Sequence, residues 1–199
     1  TIVDGTGSPR YRADLGVRRG RLAVIASDGS LSGAESVDAT GLVVAPGFVD
    51  IHSHLDWLLP CADHDCVQAP LVLQGITSAI TGNCGMSPAP ISVFSRPLLA
   101  GSSWAANLDG LPWSSTSQYL ATLEQQGMLL NAGFLVGHAA LRYGAMGQRA
   151  DSDEAAPEEI DAMCGLARQA IREGALGLST GLGYVPGLFA DSRELLALL

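Results

Sequence analysis

Hydrophobic and polar positions change pattern most sharply at residues 43–54, VVAPGFVDIHSH, where an apolar run turns into alternation and closes on two histidines one residue apart. That pattern predicts a buried strand whose end delivers side chains to a site. Successive strand side chains point to opposite faces, so Phe48, Asp50, His52 and His54 share one face and Val49, Ile51 and Ser53 the other. The two imidazoles therefore converge at the C-terminal end of a strand, the edge that carries the chemistry in parallel α/β folds.

Upstream, residues 15–17 and 22–25 flank a turn at Arg19 and Gly20, and residues 37–39 precede a turn at Thr40 and Gly41. These read as short strands of a small β-sandwich that needs further strands to be stable. Downstream, a helical stretch that Pro70 should delay or kink ends at Gly75, and the β-branched run 76–81 predicts a second strand ending in Gly82-Asn83-Cys84-Gly85. Residues 85–113, rich in Pro, Ser, Gly and Ala and carrying Trp104 and Trp113, are long enough to read as a lid or pocket wall. A helix over 117–126 buries Tyr119, Leu120 and Leu123 and stops at Gly127; a third strand over 131–136 ends at Gly137 and His138. The clearest helix follows: Pro157 at its start, Glu158 and Glu159 in its first turn, Arg172 in its last, Gly174 as its cap, and a stripe of Ile160, Met163, Cys164, Ala167 and Ile171. Residues 176–179 form a fourth strand, and Asp191 opens another helix.

Strands alternating with helices predict a parallel α/β architecture. Four βα units are half of a (β/α)8 TIM barrel. A doubly wound sheet would carry a Gly-rich phosphate loop after its first strand, where this chain has HSH. The expected organisation is a β-sandwich segment over 1–41 and the N-terminal half of a barrel over 42–199.

Hydrophobic residues make up 47% of the 199 and charged residues only 16%, which suits buried strands wrapped in helices. A net charge of -9 without a basic patch argues against nucleic acid and favours small neutral or polar substrates. No apolar stretch approaches the length of a membrane span. Cys61, Cys66, Cys84 and Cys164 are too few and too scattered for a disulfide framework, so a reducing, cytoplasmic setting is expected. The chain starts at Thr1 without a Met, which leaves a removed leader open.

His52 and His54 offer what a borderline metal such as zinc needs from a strand end. Cys84, between glycines at the mouth of the second strand, is either a small buried hydrophobe or a thiolate ligand, and the flanking glycines favour the ligand. Asp50, one pleat below His52, can orient an imidazole or serve a backbone partner instead. His138 is open to roles as ligand, supporting donor, pocket wall or satisfied core residue; we place it behind the ligands or in the pocket wall. Asp56 reads as a loop carboxylate. Ser179 lies in GLSTG, a match to the GxSxG pattern of serine hydrolases, but no histidine follows it and the match reads as fortuitous.

Taken together, APGFVDIHSH, QGITSAITGNCG, LVGHAALR and LGLSTGLGYVPG resemble the amidohydrolase superfamily and, within it, the N-acyl-D-amino-acid deacylase (D-aminoacylase) group, across most of the chain. The resemblance implies a barrel with a composite β-sandwich and a zinc site at the C-terminal ends of the strands. It makes His52 and His54 the first ligand pair, Cys84 a further ligand, and Tyr184 a residue that helps hold the substrate carboxylate. Many binuclear amidohydrolases bridge their metals with a carboxylated lysine; all eleven basic residues here are arginine, so a thiolate is the natural substitute. The expected reaction is hydrolysis of an N-acyl-D-amino acid. The alternatives are a cyclic-amide hydrolase of the dihydroorotase or hydantoinase kind, or a non-catalytic module of the same fold. The resemblance puts the general-base aspartate and two more histidine ligands beyond Leu199, so this is expected to be the N-terminal part of a longer enzyme, partnered by the rest of its own barrel.

Overall fold

The computed structural model describes residues 1–61, 64–100 and 110–199. They divide into two compact units, Thr1–Gly47 and Phe48–Leu199. In the first, β1 (Asp14–Arg18) and β2 (Arg21–Ala26) form an antiparallel hairpin. Its turn has Arg19 and Gly20 at φ 54° and 71°, the left-handed pair that matches the twist of two short strands. Residues 37–39 form no strand, although the turn after them is made, with Leu42 N–H donating to the Ala39 carbonyl at 3.0 Å. The segment after Gly41 stays with this unit, because Val44 bridges Ile2.

The second unit holds a four-stranded parallel sheet in the order β3 (Phe48–Asp50), β4 (Ile76–Thr81), β5 (Asn131–Gly137) and β6 (Gly177–Ser179). Chain order equals spatial order, the arrangement of successive βα units winding one way around a barrel. Between the strands lie α1 (His64–Leu73), then α2 (Ser95–Ala100) and α3 (Thr116–Gln126), then α4 (His138–Met146) and α5 (Pro157–Arg172); α6 (Ser192–Leu198) follows β6.

The first strand is far shorter than its apolar run. Pro46 has no N–H to give a ladder and Gly47 is entropically costly in a strand, so β3 begins only at Phe48. It is also not buried: Phe48, Val49 and Ile51 are 68%, 57% and 75% exposed, because among the described residues β3 has a neighbour on one side only. The central strands behave as expected, with Phe134 and Val136 of β5 fully buried.

The described residues of the segment 85–113 enter the core at Ser87, Ala89, Ile91, Leu111 and Trp113, and Pro90, Ile91 and Ser92 line a cavity; residues 101–109 lie outside the described ones. Ser92 and Ser95 exchange side-chain and backbone hydrogen bonds at the start of α2. Arg96 then donates to the Leu111 and Trp113 carbonyls and to Ser114 Oγ, tying the far end of the segment down. Trp113 is buried, its Nε1–H donates to the Pro88 carbonyl at 2.7 Å, and its ring meets Tyr119, which in turn meets Phe134, at centroid distances of 5.3 and 5.1 Å. Trp104 lies outside the described residues.

α3 is closed by a capping box in which Ser115 and Gln118 satisfy each other's backbone N–H. α5 starts with Pro157 in its first turn, and Glu159 accepts from the Ala156 N–H at 2.8 Å. Ile160, Met163 and Cys164 are buried as the periodicity predicts, but Ile171 is exposed and Ala170 is buried in its place. The sheet–helix interface leaves room for an alanine there and turns the longer side chain outward.

Candidate functional site

The C-terminal ends of β3 and β4 bring three potential ligands together. The donor atoms of His52, His54 and Cys84 all lie within 4.8 Å of one another, and this is the one such group of His, Cys, Asp and Glu among the described residues. His52 Nε2 stands 3.2 Å from Cys84 Sγ, and the two imidazoles meet edge to face at 5.9 Å. Ligands of one tetrahedral zinc stand roughly 3.3–3.8 Å apart, given bonds of about 2.0–2.3 Å. The set is therefore close to its bound spacing. Two imidazoles and a thiol are a donor combination suited to zinc. Burial, and then the neighbouring His52 ring, hold the His54 pKa below the usual imidazole value, which keeps that ring neutral and able to ligate.

Each arm is built differently. His52 and His54 sit just past β3 on a bend. Asp50 accepts from the His52 backbone N–H at 3.1 Å, Ser53 N–H donates to the Ile80 carbonyl, and Asn83 Nδ2 donates to the carbonyls of Ser53 and Ile80. Asp50 thus supports the backbone of the histidine bend rather than an imidazole ring.

Cys84 has φ 57°, a left-handed conformation that costs an L-residue roughly 1–2 kcal/mol. Side chains from β6 and beyond hold it there. Ser179 Oγ donates to the Gly82 carbonyl and accepts from the Gly85 N–H at 3.0 Å, and the Tyr184 hydroxyl donates to the Cys84 carbonyl itself. Gly82 and Gly85 have φ 76° and 69°, and both allow close approach: a Cβ at Gly82 would collide with the Leu135 carbonyl, and one at Gly85 would stand 2.7 Å from the Gly181 nitrogen.

The other candidates fall elsewhere. Tyr184 stands beside the site with its ring half-exposed, and its hydroxyl is engaged with the Cys84 carbonyl; burial and the neighbouring Cys84 raise its pKa. A substrate carboxylate would compete for that hydroxyl. His138 does not join the ligand group. It opens α4, is fully buried, and bonds through Nε2 to Glu194 of α6, whose other oxygen accepts from Arg142. This is the core-histidine alternative: a strand-end histidine becomes the first residue of a helix and turns into the helix layer. The Glu194 carboxyl would be raised by burial, but the hydrogen bonds from His138 and Arg142 prevail and hold its pKa below the usual value.

Asp56 is not a loop carboxylate but a fully buried one. It lies in a 3-10 turn over Leu55–Trp57, and burial pushes its pKa up to about 7 against the opposing backbone amides of Asp56 and Gly82. Tyr119 donates to its backbone carbonyl at 2.8 Å. A cavity of about 310 Å³, lined among others by Ser92, Thr116, Gln169 and Glu173, touches none of the three ligands.

Sequence reasoning set Ser179 aside. The signal that could have found it is the pairing of two glycine-flanked strand ends, GNCG and GLSTG, each built for close backbone approach.

A parallel four-stranded sheet with His52, His54 and Cys84 at its C-terminal edge has the layout of part of a barrel with a candidate metal site. The amidohydrolase family model matches residues 35–196, and the chain belongs to that family. It is 40% identical to a D-aminoacylase of Alcaligenes xylosoxydans xylosoxydans over 98% of its own length and 39% of the relative's. It is also similar to solved structures. A D-aminoacylase studied for its binuclear metal centre superposes with a TM-score of 0.84 at 35% identity, and an N-acyl-D-glutamate deacylase from Bordetella bronchiseptica, complexed with zinc and a phosphonate inhibitor, with 0.86 at 38% identity. In both cases the match covers 99% of this chain and 40% of the other. The four-stranded sheet therefore corresponds to part of a TIM barrel, and the chain spans about two fifths of the length of these relatives.

Proposed function

We propose that this chain supplies the first half of the barrel, and the first metal ligands, of a zinc-dependent deacylase that hydrolyses N-acyl-D-amino acids to a D-amino acid and a carboxylate. The observation that carries the reading is the convergence of His52, His54 and Cys84 within 4.8 Å at one strand-end edge. Support comes from the similarity to D-aminoacylase and to the zinc-complexed N-acyl-D-glutamate deacylase.

His52 and His54 would hold the ion from one strand end and Cys84 from the next, the thiolate supplying negative charge in a chain that contains no lysine. A bound zinc ion supplies Lewis acidity, which polarises an amide carbonyl and makes water nucleophilic at neutral pH. The protein must add a carboxylate that moves the proton from water to the leaving nitrogen. Asp50 is committed to the His52 backbone and Asp56 is closed off in the core, so neither is assigned that role. We assign it to the part of the relatives' length that this chain does not span, together with the remaining ligands.

The test is zinc content and hydrolysis by the full-length protein with matched N-acetyl-D- and N-acetyl-L-amino acids. Bound zinc and turnover of the D series support the reading. A metal-free protein, or one that prefers the L series or a cyclic amide, overturns it.

A further inference from the structure

The side chain that shapes the cysteine ligand comes from the other side of the sheet. We propose that Ser179 is a positioning residue for Cys84: by clamping the Gly82 carbonyl before it and the Gly85 N–H after it, Ser179 sets the thiolate's aim at the metal, with Tyr184 as a weaker second arm. The inference rests on the reading of Cys84 as a zinc ligand.

Three independent features converge on it. First, Cys84 sits at φ 57°, which an isolated Cys would rarely hold; something must over-determine it. Second, Ser179 uses its hydroxyl in both senses, donating to the Gly82 carbonyl and accepting from the Gly85 N–H, so one oxygen spans the Gly82–Gly85 arc that contains Cys84. Third, the contacts come from residues 94–100 positions further along the chain, and Gly181 is packed so closely against Cys84 that a Cβ there would strike the Cys84 carbonyl and the Tyr184 hydroxyl. A serine satisfying its own turn would not reach across two strand ends to do this.

The clamp also accounts for the GLSTG segment without serine-hydrolase chemistry. Ser179 Oγ is already donor to one peptide and acceptor from another, and has no histidine partner among its hydrogen bonds. The glycines around it serve contact with the Cys84 arc. Partners that orient metal ligands typically affect metal affinity or activity by about 10–100-fold.

The experiment uses the full-length protein, stripped of metal and titrated with Co(II), in wild-type, Ser179→Ala, Ser179→Thr, Tyr184→Phe and Cys84→Ala forms. The readouts are the thiolate-to-cobalt charge-transfer band, metal affinity by chelator competition, and circular dichroism of the apo forms. Ser179→Ala is expected to lower metal affinity by about 10–100-fold and to change the band at saturating cobalt, while Ser179→Thr, which keeps the hydroxyl, restores most of both. Tyr184→Phe is expected to lose roughly 2- to 10-fold, the scale of one hydrogen bond. Cys84→Ala abolishes the band; if it does not, the ligand reading itself fails. If Cys84→Ala abolishes the band while Ser179→Ala matches wild type, the ligand reading stands and the clamp is overturned. Should Ser179→Ala fail to fold, the half-exposed Tyr184 decides: wild-type affinity and band in Tyr184→Phe would overturn the clamp.

Discussion

The two arms of the candidate metal site are constructed in opposite ways. The histidine arm follows β3, and its bend is supported by backbone contacts with Asp50, Ile80 and Asn83. The cysteine arm leaves β4 in a conformation an L-residue avoids, and is gripped from β6 and the segment after it by a serine, a tyrosine and a set of close glycine contacts. Two candidate ligands one residue apart are kept together by the short stretch of chain between them, here a bend just past β3. A single ligand has no such partner, so its direction must be imposed by its surroundings. The structural investment therefore sits where local sequence order cannot supply the geometry.

The sharpest way to break this comparison is to remove the gripped ligand. Cys84→Ala should lose zinc and amide hydrolysis by more than the ~100-fold that loss of a merely supporting partner costs. Cys164→Ala, on the buried stripe of α5, should leave both within about twofold while lowering stability slightly. Zinc analysis beside initial rates checks the pair. Equal zinc in wild type and Cys84→Ala would remove the basis of the two-arm description.

A second test asks whether the histidine that sequence placed near the site belongs to the fold instead. Breaking the buried His138–Glu194–Arg142 group with Glu194→Gln leaves the Arg142 charge uncompensated, for which about 3–5 kcal/mol of lost stability is expected, with zinc stoichiometry unchanged. The pH dependence has a definite sign. The Glu194 carboxyl titrates lower in the folded protein than in the unfolded chain, so its contribution is present above the ordinary glutamate value near 4.3 and is lost as pH falls through the folded value. Thermal melts between pH 7 and 3 should show wild type losing that increment while Glu194→Gln changes less. A parallel loss of zinc in the variant would return His138 to the site.

How much of this was legible beforehand follows from which forces are local. β4 and α5 were readable to within a residue, because a β-branched run and a helix with Pro, Glu, Arg and Gly at the right ends carry their own signals. The nearness of His52 and His54 was expected from strand parity, but the structure reaches it on a bend past β3, with His54 at φ -110° and ψ 27°. The core role of Trp113 was not readable, since it depends on Arg96 reaching two carbonyls 15 and 17 residues away. Nor was the burial of Asp56, whose neighbours Tyr119 and Gly82 belong to other elements. The hydrogen bonds of Ser179 were not readable for the same reason: its motif is a local pattern, whereas its partners Gly82 and Gly85 lie across the sheet. The apolar run before His52 is uncovered because β3 has a neighbour on one side only among the described residues, as expected of the first strand of part of a barrel.

A third variant probes the support behind the histidine arm. Tyr119→Phe removes the hydroxyl that holds the Asp56 carbonyl at 2.8 Å, and should cost about 1 kcal/mol in a thermal melt, since the ring contacts with Trp113 and Phe134 remain. Zinc affinity should change little, because the bond anchors the turn after His54 rather than either imidazole.

The smallest effect, and the one that bears most directly on the contrast, is expected at Asp50. Its carboxylate accepts a single 3.1 Å bond from the His52 N–H on an accessible bend, where water can replace it when it is lost. Asp50→Ala should therefore lower zinc affinity only a few-fold, and Asp50→Asn, which keeps an acceptor oxygen, less still. Ser179→Ala, although its residue lies two strands from β4 in sheet order, should lose more than Asp50→Ala, although Asp50 is only two residues from a ligand. Chelator competition on both variants side by side gives the order. The reverse order, with Asp50→Ala the more damaging, would mean that the histidine bend needs imposed geometry as much as the cysteine does, and that closeness along the chain does not by itself aim a pair of neighbouring ligands.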